Sequence, residues 1–356
     1  MRILFMADVD RDPHAGAAGT ELRTIEHLRL LGHEVDELWA NDLGRRIRHG
    51  NLHYLLELPF AYRRALMQAR TNYDVVHVNQ PHGWRAAKWL RGRVPFVHRS
   101  HGFEPYAEEV LARWRNEERS ILQRGMARLL ARHARLIAKY ADGHIVSSSL
   151  DANFLVERFH VPRERVAVIP QAAPDSFLAS PAPPMTGERL RRVLYVGQFA
   201  FFKAPLIVAE AMRKLAEDHE CTWVCAPQHH HEVRALAPNV RVESWMPEER
   251  LRAVYDTHGV FLFPSFYEGF GKVFLEAMSR GLCVVASDVG GAHDVITDGR
   301  DGMLVPPGDA DALVTAVRSL DLERAGAMSA AAARTAREYS WARVARETAA
   351  FYERLR

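Results

Sequence analysis

Short runs of β-branched and apolar residues alternate with helix-like patterns along the whole chain. In the first half these runs are RILFMA, DVVHVN, PFVHRS, GHIVSS and RVAVIP, and in the second half they are RRVLYVG, CTWVCA, GVFLFP, CVVAS and GMLVP. Short apolar runs that alternate with helical patterns are typical of parallel strands joined by crossover helices. The pattern therefore predicts an α/β protein built on parallel sheets.

A break in this alternation divides the chain into two parts. The segment SPAPPMTGE, Ser180–Glu188, contains three prolines and predicts a linker. We therefore expect a doubly wound, Rossmann-like domain over 1–179, a linker over 180–189 and a second such domain over 190–340. If the two domains face each other, the carboxyl ends of their strands line one central cleft, where ligands of this architecture usually bind.

Length and composition agree with two globular domains. The chain has 356 residues, of which 48% are hydrophobic and 26% are charged, so it is too long for one small core and too apolar for disorder. No apolar run approaches the roughly 20 residues of a membrane span, and the short apolar start MRILFMADVD contains an early acid, so we expect a cytoplasmic protein. Three cysteines, an odd and sparse set, favour a reducing compartment.

The net charge of +3 hides a modest asymmetry between the halves. Residues 1–180 carry 26 Lys and Arg against 21 Asp and Glu, whereas residues 181–356 carry 21 against 23. No ribbon of basic and aromatic residues accompanies the basic first half, so the charge does not indicate a nucleic-acid partner.

The stretch FPSFYEGFGKVFLEAMSRG, Phe263–Gly281, which we call the two-glutamate segment, carries the most informative chemistry. A glycine turn that opens a helix after a strand is typical of an anion site, because backbone N–H groups and the helix dipole favour a phosphate there. Glu276 lies in an apolar run and needs a hydrogen-bonding partner if buried. The alternative is a solvated ion-pair stripe, since Lys272, Glu276 and Arg280 are spaced four residues apart.

The second half contains, in this order, the stretches VLYVGQFAFFKAPLIVAEAM, WMPEERLRAVYDTHGVFLFPS, the two-glutamate segment and VVASDVGGAHDVITDGRDGMLVPPGD. Their order and spacing resemble glycosyltransferase family 4, retaining nucleotide-sugar-dependent enzymes of GT-B fold. The family's E-x7-E pattern falls on Glu268 and Glu276. The first half matches more loosely, through the Gly16–Gly19 loop, LRLLGHEV, DVVHVN, HRSHG and VIPQAAPDSF, and YSWARVARETAAFYERL fits the family's closing helix, expected over about 341–356 and returning to the first domain.

The resemblance implies a role for each matching residue. Glu276 would accept hydrogen bonds from the two ribose hydroxyls of the nucleotide, which would supply the partner that a buried carboxylate needs. Glu268 would contact the donor sugar and stabilise positive charge at its anomeric carbon, and Lys203 would neutralise charge on the leaving diphosphate, so that no bound metal is required. The backbone of Phe270, Gly271 and Lys272 would meet the sugar and diphosphate.

On the first domain, the resemblance implies that Gly16 lets the first loop approach the diphosphate and that His101 lies beside the donor sugar. Two departures from the family pattern stand out. The Gly-Arg after the first strand of the second domain is Gly197-Gln198 here, so one cation near the diphosphate is missing. The usual Pro-Asn-Gly after VAVIP is replaced by Gln171 and Ala172, which puts in doubt any contact of that loop.

Retention in this family is usually described as attack on the face from which the leaving group departs, with the diphosphate oxygen taking the acceptor's proton. No side-chain nucleophile is then needed. A glycosidase-like mechanism would require a second acid across the sugar from Glu268, and the sequence names none.

A basic stripe is predicted on a helix in the first half. Its members fall within about 80° on a helical wheel and are Arg124, Arg128, Arg132, Arg135 and Lys139. They lie opposite an apolar side made of Leu122, Met126, Leu129, Leu136, Ile137 and Tyr140, which is expected to pack on the core. The stripe is either a solvated face or a docking site for anionic lipid head groups or a lipid-linked acceptor, to which GRRIRH at 44–49 and YRRA at 62–65 would add if they lie nearby.

Zinc is a weaker hypothesis. Cys221 and Cys225 share one face of a predicted buried strand with Trp223, and the three histidines His229–His231 follow in a loop, so the spacing does not imply a four-ligand site. His98 is expected to pack in the core, and His14 in the first loop is ambiguous.

These observations predict transfer of a sugar from a nucleotide-diphosphate donor, with uridine favoured over guanosine, to a hydroxyl acceptor. The setting would be surface polysaccharide, glycolipid or natural-product glycoside biosynthesis. Two alternatives stay open: a nucleotide-sugar epimerase of related fold, and a non-catalytic protein that holds a nucleotide sugar. A nicotinamide dehydrogenase is excluded, because no G-x-G-x-x-G follows the first strand of either domain.

Overall fold

The computed structural model describes residues 1–13, 16–69, 72–115 and 120–356. It contains two compact units, one made of Met1–Gln171 with Trp341–Arg356 and one made of Ala172–Ser340. Each unit contains a six-stranded parallel sheet with helices packed on it, which confirms the predicted α/β fold class.

The first unit contains a sheet in the order β2-β1-β3-β4-β5-β6. Its strands are β1 (Arg2–Met6), β2 (Glu34–Leu38), β3 (Val75–Asn79), β4 (Phe96–Ser100), β5 (Gly143–Val146) and β6 (Val166–Val168). The strands β3, β4 and β5 are buried along their whole length, as expected for the middle of a parallel sheet that is covered on both faces.

The helices of the first unit surround this sheet. They are α1 (Gly16–Leu30), α2 (Ala40–Leu43), α3 (Gly50–Leu52), α4 (Leu58–Gln68), α5 (Trp84–Leu90), α6 (Glu104–Ala112), α7 (Ile121–Tyr140) and α8 (Ser149–Phe159). A π-helical turn, His53–Glu57, joins α3 to α4, and short 3-10 turns lie at Pro81–Gly83 and Arg163–Arg165.

The second unit contains a sheet in the order β12-β11-β10-β7-β8-β9. Its strands are β7 (Arg192–Val196), β8 (Glu220–Cys225), β9 (Arg241–Ser244), β10 (Val260–Phe263), β11 (Cys283–Ser287) and β12 (Met303–Val305). Side chains of β8 alternate between two cores, because Cys221, Trp223 and Cys225 pack on one side of the sheet and Val224 on the other.

The helices of the second unit and the last helix of the chain complete the element order. They are α9 (Asp175–Leu178), α10 (Gly187–Leu190), α11 (Pro205–Leu215), α12 (His230–Leu236), α13 (Glu248–Thr257), α14 (Lys272–Ser279), α15 (Gly290–Val295), α16 (Ala310–Arg318), α17 (Leu322–Arg337) and α18 (Trp341–Leu355). Short 3-10 turns lie at Phe201–Lys203 and Pro227–His229.

Helix α18 packs on the first unit, as predicted for the closing helix. Tyr352 is fully buried, and its hydroxyl lies 2.5 Å from Nδ1 of His77 on β3. A Cβ on Gly143 would come within 2.7 Å of the Phe351 ring, so β5 accepts the helix only because a glycine stands there.

The boundary between the units differs from the predicted linker over 180–189. The second unit begins at Ala172, and Phe177 is buried in its core. The guanidinium of Arg189 is buried and donates to the carbonyl oxygens of Pro183, Pro184, His258 and Arg280. The proline-rich segment is therefore held against the second unit by hydrogen bonds, a tertiary effect that its composition does not reveal.

None of the helices in the described part of the chain combines the length and the apolar character that crossing a membrane requires.

Candidate functional site

The two-glutamate segment connects β10 to α14 through a loop that only glycine can close. Gly271 has a φ of +89° and directly precedes Lys272, the first residue of α14. A Cβ on Gly271 would come within 2.2 Å of the Phe263 ring, at the end of β10. The loop is therefore fixed by backbone conformation and by packing, and the N–H groups of the first turn of α14 follow directly after it.

Glu268 forms an ion pair with Lys203 inside the second unit. Both side chains are largely buried, and the hydroxyl of Ser265 donates to the same Oε1 atom over 2.9 Å. Lys203 ends the 3-10 turn that follows β7, and Phe202 of this turn accepts a hydrogen bond at its carbonyl from the Phe266 N–H over 2.9 Å. The structure therefore brings together a carboxylate and a cation that lie far apart in the sequence.

Glu276 is buried on α14, and among the described residues one side chain donates a hydrogen bond to it. The hydroxyl of Tyr255 donates to its Oε2 over 3.2 Å. Burial raises the pKa of the Glu276 carboxyl, and the nearby Lys272 and Tyr255 partly oppose that rise. The buried Glu276 was expected to need a hydrogen-bonding partner. Tyr255 supplies a partner to one of its two carboxylate oxygens.

The alternative of a solvated ion-pair stripe is wrong, because Arg280 is buried as well. Its Nε donates to Asp256 over 2.6 Å, and its Nη atoms donate to the carbonyl oxygens of Phe177, Ser180 and Pro181. Arg280 therefore holds the beginning of the second unit in place through Asp256 and these carbonyl groups.

Two glycines that carried no predicted role support this loop. The Gly291 N–H donates to the Phe270 carbonyl over 3.1 Å, and a Cβ on Gly291 would meet the Phe270 ring at 2.4 Å. A Cβ on Gly290 would lie 2.3 Å from the Glu268 carbonyl oxygen. The adjacent glycines in SDVGGAHD were the signal for this close approach of two backbones.

Gly197 and Gln198 follow β7 at the carboxyl edge of the second sheet. Gly197 is buried, and a Cβ there would lie 2.4 Å from the Tyr195 hydroxyl, so the glycine is a packing requirement. Gln198, which stands where the family pattern has arginine, is exposed.

On the first unit, His101 lies just beyond β4 and is held by Glu21 of α1. The His101 Nε2 lies 2.7 Å from Glu21 Oε1, and its Nδ1 is buried without a hydrogen-bond partner among the described residues. Burial raises the pKa of the Glu21 carboxyl, but the charge of Arg99 and the interaction with His101 outweigh it and lower the pKa to about 2. Glu21 is therefore an anion, and it favours the tautomer of His101 that carries the proton on Nε2.

Glu21 had no predicted role, although the sequence contained a signal for it. Glu21, Ile25 and Leu28 lie at helical spacing on the buried face of α1, so an acid interrupts an otherwise apolar face. Its partners could not be read from the pattern, because Arg99 lies in β4 and His101 directly follows that strand, far along the chain from Glu21.

The expected Gly16–Gly19 loop is instead the first turn of α1. The helix begins at Gly16, where a Cβ would meet nothing within 4 Å, and a Cβ on Gly19 would lie 2.5 Å from the Pro13 carbonyl oxygen. Gly16 thus lies at a helix N-terminus. The free N–H groups there can bind an anion, as those of the expected loop would have done. His14 lies outside the described residues.

His98 packs in the core, as predicted. It is fully buried on β4, and its Nδ1 lies 3.2 Å from the Nδ1 of His144 on β5. Burial lowers the pKa of His98 well below its ordinary value, so it is neutral.

All five members of the basic stripe are exposed on α7. The predicted apolar side is buried only in the second half of the helix, where Ile137 is fully buried, whereas Leu129 is 49% exposed. The expectation that Leu129 packs on the core is therefore wrong. The first half of α7 lies beside an open cavity, where Met126 and Leu130 form part of the wall, and the Leu122 side chain is outside the described part.

Further cations lie next to this stripe. The Arg85 guanidinium of α5 lies 4.1 Å from the centre of the Phe60 ring of α4, and Lys88 of α5 lies 5.5 Å from the Tyr140 ring of α7. These contacts connect the helix that contains YRRA with the helix that carries the stripe. Phe60 is 51% exposed.

The cysteines show no metal-site geometry. Cys221, Cys225 and Cys283 are buried free thiols, and burial raises the pKa of the Cys221 thiol to about 12. Within residues 1–13, 16–69, 72–115 and 120–356, no group of three or more His, Cys, Asp or Glu side chains is arranged to hold a metal ion.

Comparison with known proteins gives two family matches. Residues 16–177 match the model described as Glycosyltransferase Family 4, and residues 191–321 match the model described as Glycosyl transferases group 1. Among curated relatives, the D-inositol 3-phosphate glycosyltransferase of Corynebacterium aurimucosum is 28% identical over 313 residues, which cover 79% of this chain and 72% of that protein.

Solved structures share the fold at low sequence identity. Sucrose-phosphate synthase from Thermosynechococcus elongatus matches with a TM-score of 0.79 and 22% identity and covers 100% of this chain and 99% of its own. HepE of Anabaena in complex with UDP-glucose matches with a TM-score of 0.70 and 16% identity over 98% of each chain. The predicted GT-B fold class is thereby confirmed.

Proposed function

This chain belongs to glycosyltransferase family 4, and from that premise we propose that it moves a sugar with retention from a nucleotide-diphosphate donor to a hydroxyl acceptor. A uridine nucleotide is favoured over guanosine. The proposed setting is the biosynthesis of surface polysaccharide, glycolipid or natural-product glycosides. The observation that carries the proposal is the pair of buried carboxylates on either side of Gly271, namely Glu268 in the loop before α14 and Glu276 within α14.

The donor nucleotide is assigned to the second unit. Glu276 has one oxygen bonded to Tyr255 and further acceptor capacity for the ribose hydroxyls, because a carboxylate has about four lone-pair positions. A hydroxyl that donates to Glu276 would also relieve the cost of its burial. The N–H groups at the start of α14, after Phe270 and Gly271, would receive the diphosphate.

Glu268 and Lys203 are assigned to the reacting bond. When the bond between the anomeric carbon and the diphosphate breaks, positive charge develops on the sugar and negative charge on the leaving oxygen. Glu268 would stabilise the first charge and Lys203 the second, so the ion pair seen between them would separate around the donor. The leaving diphosphate oxygen would take the acceptor's proton, and no metal is assigned a role.

His101 is assigned to the donor sugar. Its Nδ1 has no hydrogen-bond partner within the described part of the chain, and with the proton on Nε2 facing Glu21 this Nδ1 is an acceptor for a sugar hydroxyl.

A thermal-shift titration with uridine, guanosine, adenosine and thymidine diphosphates and their sugars tests the donor assignment. A ligand at 100 times its Kd adds about 2.7 kcal/mol of stability. Glu276→Gln should lose most of the shift, whereas Glu249→Gln, a matched change at an exposed acid, should keep it. An equal shift and equal turnover in Glu276→Gln and the parent would remove the ribose role.

One observation favours a non-catalytic nucleotide-sugar-binding protein as a second candidate, namely the exposed Gln198 where the family pattern has a cation. Slow hydrolysis of the donor that gives a thermal shift separates the two, because a binding protein releases no free nucleotide.

Peripheral contact with an anionic membrane at its inner face is proposed for the basic stripe. The five stripe cations are exposed, and further exposed cations and the Phe60 ring lie beside them. Each basic residue near an anionic surface contributes about 1 kcal/mol. This surface would also suit a lipid-linked acceptor.

Vesicle co-sedimentation tests the membrane contact. Arg128→Glu with Arg132→Glu should abolish binding to vesicles that contain phosphatidylserine. The control, Arg213→Glu with Arg250→Glu, makes the same change in net charge at exposed residues of the second unit and should leave binding intact. Absence of parental binding, or equal loss in both variants, would contradict the proposal.

A further inference from the structure

The first unit contains a cavity of about 1030 Å³ whose described wall includes Arg128 of the basic stripe and none of the predicted catalytic or donor-binding residues. Its walls come from α6, from the first half of α7 and from the turn after β3. Apolar side chains form much of the wall, including Tyr54, Pro81, Pro105, Met126, Leu130 and Ala131. The cavity is thus at the carboxyl edge of the sheet, where doubly wound folds bind ligands, and it is large enough for a drug-sized molecule.

Gln80, in the wall of this cavity, is held in a strained conformation. It directly follows β3 with a φ of 87° and a ψ of 148°, a region that is essentially reserved for glycine. Its amide oxygen is buried without a hydrogen-bond partner among the described residues. A glycine would relieve the strain, and the glutamine side chain adds a second unfavourable feature. Neither feature helps the fold, so Gln80 has the marks of a residue kept for a ligand.

Several polar side chains of the described cavity wall are neutral or paired. The rings of Tyr54 and His82 are stacked with their centres 4.9 Å apart, and burial with the nearby His133 lowers the pKa of His82 to about 3, so this imidazole is neutral. Arg115 and Glu108 form an ion pair across 3.2 Å. The described wall also contains Glu104, whose pKa burial raises to about 7, and Arg128.

We propose that this cavity binds the acceptor and that the acceptor is an uncharged hydroxyl compound with an apolar portion, whose hydroxyl donates to the amide oxygen of Gln80. The apolar wall would contact the apolar portion, and the stacked Tyr54 and His82 would offer an aromatic face. Gln80 is then a specificity-determining residue. This inference rests on the proposed transferase function.

A phosphorylated acceptor fits the cavity poorly. Phosphate sites in proteins use unpaired arginine or lysine side chains, or a helix N-terminus, to compensate a charge near −2. Among the described wall residues, Arg115 is already paired with Glu108, Arg128 is the remaining arginine, and the N-terminus of α6 carries the acid Glu104. The relatives named D-inositol 3-phosphate glycosyltransferases therefore resemble this chain in sequence without predicting its acceptor.

Gln80→Gly separates a role in binding from a role in folding. Relief of the strained backbone should keep or raise the melting temperature, whereas loss of the hydrogen bond should raise the acceptor KM about tenfold. The matched control is His160→Gly, which relieves another positive φ, 53°, at a residue outside the cavity wall and should leave the KM unchanged. An unchanged acceptor KM in Gln80→Gly would overturn the assignment of Gln80.

Direct binding tests the class of acceptor without turnover. Ligand-observed NMR with octyl β-D-glucoside below its micelle concentration should show binding to the parent and to Ala112→Trp, which places a tryptophan outside the wall. Ala131→Trp fills the cavity and should abolish that binding. Absence of parental binding, equal binding in both variants, or tighter binding of D-inositol 3-phosphate than of the glucoside would overturn the proposal.

The outcomes for donor and acceptor are separable. Failure of every nucleotide diphosphate to shift the melting temperature would remove the proposed function. A protein that binds and hydrolyses a donor but gives the overturning result with Gln80→Gly or Ala131→Trp would retain the function and lose only this inference.

Discussion

Glu268 and Glu276 are both buried, but their partners differ. Glu268 shares an ion pair with Lys203 and a hydrogen bond from Ser265, whereas Glu276 accepts from the neutral hydroxyl of Tyr255. A carboxylate with a cation beside it is suited to a step in which charges separate, and a carboxylate with a neutral partner is suited to hydroxyl recognition. Their substitutions should therefore affect different quantities.

Glu268→Gln should lower kcat at least a hundredfold and leave the Kd for the nucleoside diphosphate within about threefold, because one charged stabilising group is worth roughly 2.7–4 kcal/mol at a transition state. Single-turnover kinetics with isothermal titration of the nucleotide measure the two effects separately. A loss of nucleotide affinity equal to the loss in kcat would contradict this division of roles.

Glu21→Gln should destabilise the first unit by about 3 kcal/mol, because removal of one partner leaves the fully buried Arg99 uncompensated. His101→Gln should cost less than about 1 kcal/mol, since His101 lies at the edge of the cluster and is partly exposed. Urea denaturation of the two variants gives the comparison. Similar small losses would show that Glu21 does not balance the charge of Arg99.

At the scale of elements, Gly271, the residue directly before α14, decides whether the loop between β10 and α14 can form. Gly271→Ala should destabilise the second unit by about 2 kcal/mol or more, because the added Cβ meets the Phe263 ring at a positive φ. Gly125→Ala in α7 should stabilise the helix by up to about 1 kcal/mol, since nothing lies within 4 Å of the new Cβ. Thermal melts of both variants test the contrast, and a neutral Gly271→Ala would contradict it.

Helices and strands could be predicted where residues close together in the sequence determine them. The glycine turn before α14 and the apolar runs that became β3, β4 and β10 depend on neighbouring residues, and they were found in the sequence. For helix α7, burial of the apolar side was predicted correctly only for the second half. In the first half the apolar side borders a cavity. Periodicity reports which residues share a face, but it does not report what covers that face.

At the scale of the whole molecule, buried histidines make the first unit sensitive to acid. Burial is the main cause that lowers the pKa of His77 and His82 to about 3 and that of His133 and His144 to about 4. The unfolded chain takes up these protons near pH 6.5, so it binds more protons than the folded chain between about pH 6.5 and 4, and stability falls as the pH falls through that window.

From pH 7.5 to 5.5 each of these four histidines should reduce the stability of the first unit by about 1 kcal/mol. In the second unit burial raises the pKa of Glu276, an acid, which acts in the opposite direction. Amide hydrogen exchange at both values, corrected for intrinsic rates, should show a larger loss of protection in β3–β5 than in β7–β11. Equal losses would contradict the prediction.

The arrangement of these histidines could not be predicted from sequence, since the partners in the pairs His82–His133 and His98–His144 lie 51 and 46 residues apart. The unit boundary was missed for a related reason. Prolines at 181, 183 and 184 indicate a linker locally, but the carbonyl groups of this segment are bound by Arg189 and Arg280, and those contacts exist only in the folded unit.

Helix α18 has a consequence for the order in which a ribosome can complete the two units. The second unit is one continuous stretch of chain, 172–340, whereas the first unit needs Trp341–Arg356 in addition to its opening 171 residues. The first unit to be synthesised is therefore the last that can close. Until Tyr352 and Phe351 emerge from the exit tunnel, His77 and the face of β5 at Gly143 stay uncovered, and a nascent chain stalled anywhere in that final helix displays them to chaperones and proteases.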